Sequence, residues 1–382
     1  MPHTADWPVA TWRLLFLVKS IASEGGGAEK VLSVVASALA RRGHAVTVAS
    51  FDPQGTTPFY PYDARVQFRS LHQGAVDQPA TVADALRRIP ALRRLLVELR
   101  PDCAIGFLHS SYVFLAMAAV GTGARLIGSE HTVQAHYAGR PVEWALLRAT
   151  SWRLAAMTAV SEAMKRTFPA SMQRRMTVIP NPVDVQSFQE GQAVTEKAGR
   201  PRLLCVAGLR PEKDLSTLVE AFARIAPAHP DWDLRIVGEG AMREALEAQV
   251  AAAGLAGRVS LPGSVRDISR EYACASAFVL PSLYESQGLA LAEALTAGLP
   301  SVGFAACDGV RDLIEDGRNG LLASDTPDRV SGLAVALGEL LSNDERRSDM
   351  ALSARDSVRV FDVERIAAQW EALIARVIAR AA

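Results

Sequence analysis

Glu285 and Glu293 are the side chains whose type and spacing most directly suggest chemistry. They stand in the run Pro281-Ser282-Leu283-Tyr284-Glu285-Ser286-Gln287-Gly288-Leu289-Ala290-Leu291-Ala292-Glu293, with seven residues between them. A helix opening near Gly288 leaves Glu285 in the preceding loop and carries Glu293 about 7–8 Å along the axis, at ~1.5 Å per residue. The helix start between them offers unpaired N–H groups to a phosphate. Each carboxylate can accept hydrogen bonds from a pair of hydroxyls. A sugar and a ribose flanking a pyrophosphate have that shape; two ordinary glutamates on a helix surface are the plain alternative.

Four other loops carry polar residues just after an apolar run. Gly208-Leu209-Arg210-Pro211-Glu212-Lys213 sets two cations beside a helix start, which suits a pyrophosphate. Lys213 is expected to be exposed in an empty cleft. The Gly25-Gly26-Gly27 turn lets backbone approach a ligand closely, but it lacks the G-x-G-x-x-G spacing of a dinucleotide site. Gly128-Ser129-Glu130-His131-Thr132 puts a His and a Glu where a ligand should sit; His131 could bond a hydroxyl or stabilise a charge. Val237-Gly238-Glu239-Gly240 is a glycine turn that a plain tight turn also explains.

These loops need strands to hold them. Arg13–Val18, Ala45–Ser50, Asp102–Phe107, Arg125–Ser129, Ala156–Val160 and Met176–Pro180 read as strands, with helices between, such as Ala28–Arg42. After a break at Asn181–Arg200 the alternation restarts. Strands are expected at Arg202–Ala207, Asp233–Val237, Val259–Leu261, Ala277–Leu280 and Ser301–Phe304, with helices at Asp214–Ile225 and Ala241–Ala253 and a last one from about Val363 to Ala381. The β-α alternation implies α/β architecture: two doubly wound domains with parallel sheets facing a cleft. The domains are residues 1–185 and 201–360, with a linker at 186–200 and a C-terminal helix at 361–382. Ligands of such sheets bind beyond the carboxyl ends of the strands, where the five loops lie.

Composition narrows the classes. The 382 residues carry 41 Lys and Arg against 41 Asp and Glu, which argues against a nucleic-acid binder. The first 190 residues hold 20 basic against 14 acidic side chains, and the rest 21 against 27. Cys103, Cys205, Cys274 and Cys307 form no C-x-x-C motif and read as buried reduced thiols, as in a cytoplasmic protein. No signal-like pattern opens the chain, and the apolar run Tyr112–Val120 is shorter than the ~18 residues of a span. Residues 86–100 interleave Arg87, Arg88, Arg93, Arg94 and Arg100 with leucines at helical spacing. A helix lying on the inner membrane face is one reading, and a core-packed helix with a basic outer face is the other.

Taken together, these pieces resemble the retaining GT-B glycosyltransferases of the large family often called family 4, or glycosyltransferase group 1. The resemblance rests on Gly26-Gly27-Ala28-Glu29, Ile179-Pro180-Asn181-Pro182-Val183-Asp184, the Arg210/Lys213 loop, Gly238-Glu239-Gly240, Glu285…Glu293 and Asp316-Gly317-Arg318-Asn319-Gly320-Leu321-Leu322. It implies a GT-B fold whose C-terminal helix returns to the N-terminal domain. It implies transfer of a hexose or N-acetylhexosamine from a nucleotide diphosphate sugar, UDP ahead of GDP. The acceptor would be a glycan, lipid-linked, in surface polysaccharide or glycoconjugate assembly.

By the same resemblance, Arg210 and Lys213 hold the donor diphosphate, Glu285 the sugar hydroxyls and Glu293 the ribose. Backbone at Gly288, Leu289 and Ala290 touches phosphate or sugar. Gly26, Gly27, Gly208 and Gly238 belong to the donor loops, and His131 lies near the transferred sugar. The family often has Phe where this chain has Gln287. No metal and no cofactor are implied, the nucleotide sugar being a substrate. A nucleotide-sugar epimerase or a non-enzymatic two-lobed binding protein would share the architecture.

Overall fold

Leu14–Val18, Cys103–Phe107, Leu203–Cys205 and Ala277–Leu280 are apolar at consecutive positions, so both faces of these strands must be covered, as in the middle of a parallel sheet. The structure, a computed structural model, describes residues 11–72, 82–184 and 199–379. In its first half, strands β1 (Arg13–Leu17), β2 (Ala45–Ser50), β3 (Gln67–Ser70), β4 (Cys103–Phe107), β5 (Leu126–Ser129), β6 (Ala156–Ala159) and β7 (Met176–Val178) form one sheet. Their order is β3-β2-β1-β4-β5-β6-β7, and every pairing is parallel.

The second half repeats the design with β8 (Arg202–Val206), β9 (Asp233–Val237), β10 (Val259–Gly263), β11 (Ala277–Leu280), β12 (Ser301–Phe304) and β13 (Gly320–Ala323). Here the parallel order is β10-β9-β8-β11-β12-β13. The strand order reverses between β1 and β4 in one sheet and between β8 and β11 in the other. Those switch points are where the crevice of a doubly wound sheet opens. The loops after β1, β8 and β11 carry the glycine turn, Arg210 with Lys213, and Glu285. This is the GT-B arrangement of two Rossmann-like domains.

The chain crosses between domains twice. Val183 N–H donates to the Phe361 carbonyl at 2.9 Å, so the outward and return crossings lie side by side. Helix Val363–Ala379 then lies on the first sheet, burying Ile366, Trp370, Leu373 and Ile374 in the core that holds Leu14, Phe16 and Val35. Arg42 pins it to helix Gly27–Arg41 through Glu371 at 2.6 Å and Glu364 at 2.9 Å.

Several expectations change. Strands β3 and β13 went unread: β3 is an exposed edge of mixed polarity, and β13 follows a glycine turn closely. β10 runs on to Gly263. Most of the linker at 186–200 lies outside the described residues, as do residues 380–382. Cys103, Cys205 and Cys307 are buried, but Cys274 only partly. Burial pushes the Cys103 and Cys205 thiols up to about 12, so they are inert.

The helix at 86–100 runs from Val82 to Leu99, with Pro90 inside it. Its Leu92, Leu95 and Leu96 pack into the core beside Leu115 and Ala116. Arg88, read as part of a lipid-facing basic stripe, is fully buried. Its guanidinium lies 4.4 Å from the Phe51 ring centroid and 5.6 Å from that of Phe114, a cation–π site inside the domain. Leu92, Leu95 and Leu96 are spent on the core beside helix His109–Ala118, as in the core-packed reading of that segment, while Leu86 stays exposed. Among the described residues no helix is long and apolar enough to cross a membrane.

Candidate active site

Two helix starts face each other across the cleft. Helix Gly27–Arg41 follows Gly26, and helix Leu289–Thr296 follows Gly288, which adopts φ +68°. That left-handed turn suits glycine and swings the helix start toward the other domain. Neither N-cap residue supplies a side-chain cap, although the Glu29 carboxylate takes a backbone N–H at the first start, so N–H groups remain for an anion. A Cβ on Gly27 would stand 3.9 Å from Leu289 Cδ2, a measure of how closely the starts approach. On the N-terminal side, Asp52 at the end of β2 takes Ser20 Oγ at 2.7 Å and Ile21 N–H at 2.8 Å. That clamp fixes the entry to the glycine turn.

An ion pair joins the loops after β8 and β11. Lys213 Nζ is 2.6 Å from Glu285 Oε1, which also accepts from Ser282 Oγ at 2.8 Å. Lys213 is only 15% exposed, so it is not the free cation expected of an empty cleft. Arg210 is the exposed member of the pair, held at 3.0 Å by Glu212. Arg329, which sequence reading missed, braces both loops from below: it donates to Asp214 Oδ2 and to the Pro281 carbonyl, each at 2.8 Å, and sits 3.6 Å over the Phe304 ring. A long-range brace of this kind has no local signal.

The glycines divide by role. A Cβ on Gly238, at φ +148°, would fall 2.0 Å from the Ala207 carbonyl oxygen, so this glycine seats the loop that carries Arg210. A Cβ on Gly208 would stand 3.4 Å from Arg210 Nε, so this glycine leaves room for that guanidinium. A Cβ on Gly26 would stand 2.1 Å from Glu29 Oε2, so the missing side chain is room for that carboxylate. Burial pushes the Glu29 carboxyl up, while its own backbone, Arg210 across the cleft and Lys19 pull it down.

Glu293 is 4% exposed and already engaged. Its Oε1 is 2.5 Å from Lys30 Nζ of the N-terminal domain, and its Oε2 accepts from Tyr272 OH at 3.0 Å. Neither partner was read from the sequence. Lys30 lies 263 positions away, and Tyr272 comes from helix Ile268–Ala273.

The segment after Glu285 fastens the domains together. Ser161 Oγ donates to the Ser286 carbonyl at 2.8 Å, and Ser286 Oγ to the His131 carbonyl at 2.6 Å. Gln287, where the family often has Phe, takes the Asn181 N–H at 2.6 Å and returns its amide to the Asn181 carbonyl at 3.4 Å. A two-way amide clamp needs Gln there, and it turns the side chain toward the domain crossing.

His131 stacks on Phe107 with centroids 5.0 Å apart, and its Nε2 lies 2.9 Å from Ser129 Oγ. Burial lowers its pKa to about 4, against a raising influence from Asn181, so the ring is neutral near pH 7. That leaves it a hydrogen-bonding role and removes the charged one. Between about pH 6.5 and 4 the unfolded chain binds more protons at this residue than the folded one. Folding stability should therefore fall as pH drops through that window. Chemical denaturation of wild type and His131→Asn at pH 7 and pH 5 checks this: the variant should lose up to about 2 kcal/mol less. Equal losses would contradict the neutral ring.

Glu130, next to it, faces inward and is fully buried. It accepts from Tyr112 OH at 2.6 Å, Tyr137 OH at 2.8 Å and the N–H groups of His131 and Thr132 at 2.9 Å. It shapes the loop and does not face a ligand. Beyond that loop a cavity of about 640 Å³ opens between the domains, with Tyr137, Trp144, Met164, Tyr284 and Glu285 in its wall.

Comparison with known proteins agrees with this fold. Residues 187–357 match the model of the glycosyl transferases group 1, and residues 25–187 match that of glycosyltransferase family 4. The chain is 27% identical, over 96% of its length and 99% of the relative's, to a Campylobacter jejuni protein. That protein is named as an α-1,4-N-acetyl-D-galactosaminyltransferase acting on a diNAcBac-PP-undecaprenol-linked saccharide. It is also 27% identical to an exopolysaccharide phosphotransferase of Streptomyces coelicolor, over 94% of this chain but only 40% of that longer protein. Among solved structures, HepE of Anabaena with UDP and glucose superposes with a TM-score of 0.73 at 20% identity, over 95% of this chain and 99% of HepE.

Proposed function

The chain belongs to the group 1, family 4 glycosyltransferases, and on that premise we propose that it moves a hexosyl or N-acetylhexosaminyl group from a UDP-sugar to a lipid-linked glycan, with retention of configuration. One observation carries the reading: two glycine-led helix starts approach each other across the cleft, bridged by Lys30 and Glu293, with the Lys213–Glu285 pair in the loops after β8 and β11 and Arg210 exposed beside it. A diphosphate fits between two such starts, and cations there neutralise charge as it develops on the leaving phosphate. The choice of UDP is supported by the UDP bound to HepE, and that of a polyprenyl-linked acceptor by the name of the Campylobacter relative.

In this scheme Glu285 accepts hydrogen bonds from the donor sugar and Glu293 from the ribose. The acceptor enters the cavity walled by Trp144, Tyr137 and Tyr284, whose rings suit the apolar face of a sugar. The bond between the anomeric carbon and the phosphate oxygen breaks. The acceptor oxygen bonds to that carbon on the face the phosphate leaves, and its proton passes to the departing phosphate oxygen. Neutral His131 bonds a sugar hydroxyl nearby. Arg210 and Lys213 do the work that a divalent ion would do at the diphosphate.

A thermal-shift screen of nucleotide sugars, followed by NMR of the product, tests the scheme. UDP-sugars should give the largest shifts, the product should keep the donor's anomeric configuration, and turnover should persist in EDTA. An inverted anomer would remove the chain from the retaining class, and sugar interconversion without acceptor would make it an epimerase.

A further inference from the structure

Three side chains outside the donor site converge among the loops of the first domain. His109 opens helix His109–Ala118 after β4, His136 lies in the 3-10 turn Gln134–Tyr137 after β5, and Glu143 stands in the first turn of helix Pro141–Ser151. All three are partly buried, and their ligand-capable atoms lie within 4.8 Å of one another.

Hydrogen bonding fixes which nitrogen of His109 faces the cluster. The Tyr137 hydroxyl has one proton, and the Glu130 carboxylate, an acceptor, takes it at 2.8 Å. The same hydroxyl lies 2.9 Å from His109 Nδ1, so there it must accept, and Nδ1 carries the proton. In the neutral ring, Nε2 then turns a bare lone pair toward Glu143 Oε2 at 3.3 Å, acceptor against acceptor. A positive centre is needed between them, either a second proton on His109 or a metal ion. His136 favours the metal. Its ring lies 5.9 Å from that of His109, so it brings a second imidazole to the same point.

We propose that His109, His136 and Glu143 bind one divalent transition-metal ion of the zinc class. Two imidazoles and a carboxylate suit Zn²⁺ or Co²⁺ better than Mg²⁺ or Ca²⁺, which prefer all-oxygen sites. Tetrahedral ligands at ~2.0–2.1 Å sit about 3.3 Å apart, the present His109–Glu143 separation, and His136 has only to close in. The chain His109–Tyr137–Glu130 is the outer support that metal-binding histidines use to fix ring and tautomer. The remaining coordination position is left for water or an anion. Arg140 Nη1, 3.5 Å from Glu143 Oε2, competes with the ion for that carboxylate. His109 opens the helix after β4, while His136 and Glu143 stand in the segment after β5, so no local sequence motif marks all three.

Untagged full-length protein, stripped with chelator and titrated with Co²⁺, reads the site by its visible absorption. The expected result is one Co²⁺ per chain, displaced by Zn²⁺. His136→Ala and Glu143→Gln should each weaken binding at least ~10-fold. Arg140→Gln should tighten it by removing the competing cation, and His229→Ala, elsewhere, should leave it unchanged. Thermal melts of each variant without metal establish that it is folded. Less than stoichiometric uptake, or wild-type affinity in the His136 and Glu143 variants, overturns the proposal. The cluster is then a protonated His109–Glu143 ion pair alone.

Discussion

Lys213→Ala should lower sugar transfer at least ~100-fold, the scale of losing one group that stabilises developing charge. The pairing with Glu285 at 2.6 Å enlarges the effect. In the proposed scheme, removing the ammonium takes a cation from the leaving phosphate and also frees the carboxylate assigned to the donor sugar. Among the described residues, Ser282 Oγ is then the donor left to Glu285 Oε1. Lys213 is mostly buried, so the variant also loses stability, by about 1–3 kcal/mol for a carboxylate left without its partner. An exposed lysine would have cost almost nothing. Arg210→Ala gives the contrast. Arg210 is 61% exposed and paired at the surface with Glu212, so its loss should slow transfer with little change in melting temperature. Steady-state kinetics with a UDP-sugar and a thermal melt, run on both variants, separate the two cations. Wild-type turnover in Lys213→Ala would remove that residue from the donor site.

The sheets were legible because their central strands are apolar on both faces, a pattern with no other use in a chain of this composition. The edge strand β3 was not, since Gln67, Arg69 and Ser70 meet solvent and carry no such signature. The cleft loops were legible because loops at the carboxyl ends of strands have few reasons to hold paired charges and glycines together. What escaped were the partners. Glu130 looks in sequence like a ligand-facing acid, but two tyrosines and two backbone N–H groups from distant or adjacent positions turn it inward. Arg88 sits at a helical spacing that reads as a basic stripe, yet two phenylalanines from other elements make a buried place for it. Such pairings are set by the tertiary fold, and nothing local announces them. Gln287 is the converse case: the departure from the family residue was visible, and the Asn181 backbone it clamps was not.

The division of labour between the two glutamates has a sharp calorimetric consequence. A carboxylate has about four acceptor positions, and Glu293 spends two of them on Lys30 and Tyr272, so a ribose diol can still be received. Glu293→Ala should weaken free UDP about 10–100-fold, the equivalent of the ~1.5–3 kcal/mol carried by hydrogen bonds to a charged group. It should weaken the intact UDP-sugar by a similar factor, because both ligands contain the ribose. Glu285→Gln should behave differently. It keeps the side chain's size and one oxygen for Lys213, so free UDP should change by no more than about 3-fold, while the intact donor loses about 10–100-fold. Lys30→Ala separates a nucleotide contact from a domain bridge, since Lys30 reaches Glu293 from the other domain. If the bridge holds the cleft closed around the nucleotide, Lys30→Ala weakens UDP although Glu293 is intact; if Lys30 competes with the ribose for Oε1, UDP tightens. Equal losses for UDP and UDP-sugar in Glu285→Gln would contradict the assignment of that carboxylate to the sugar, whatever Glu293 does.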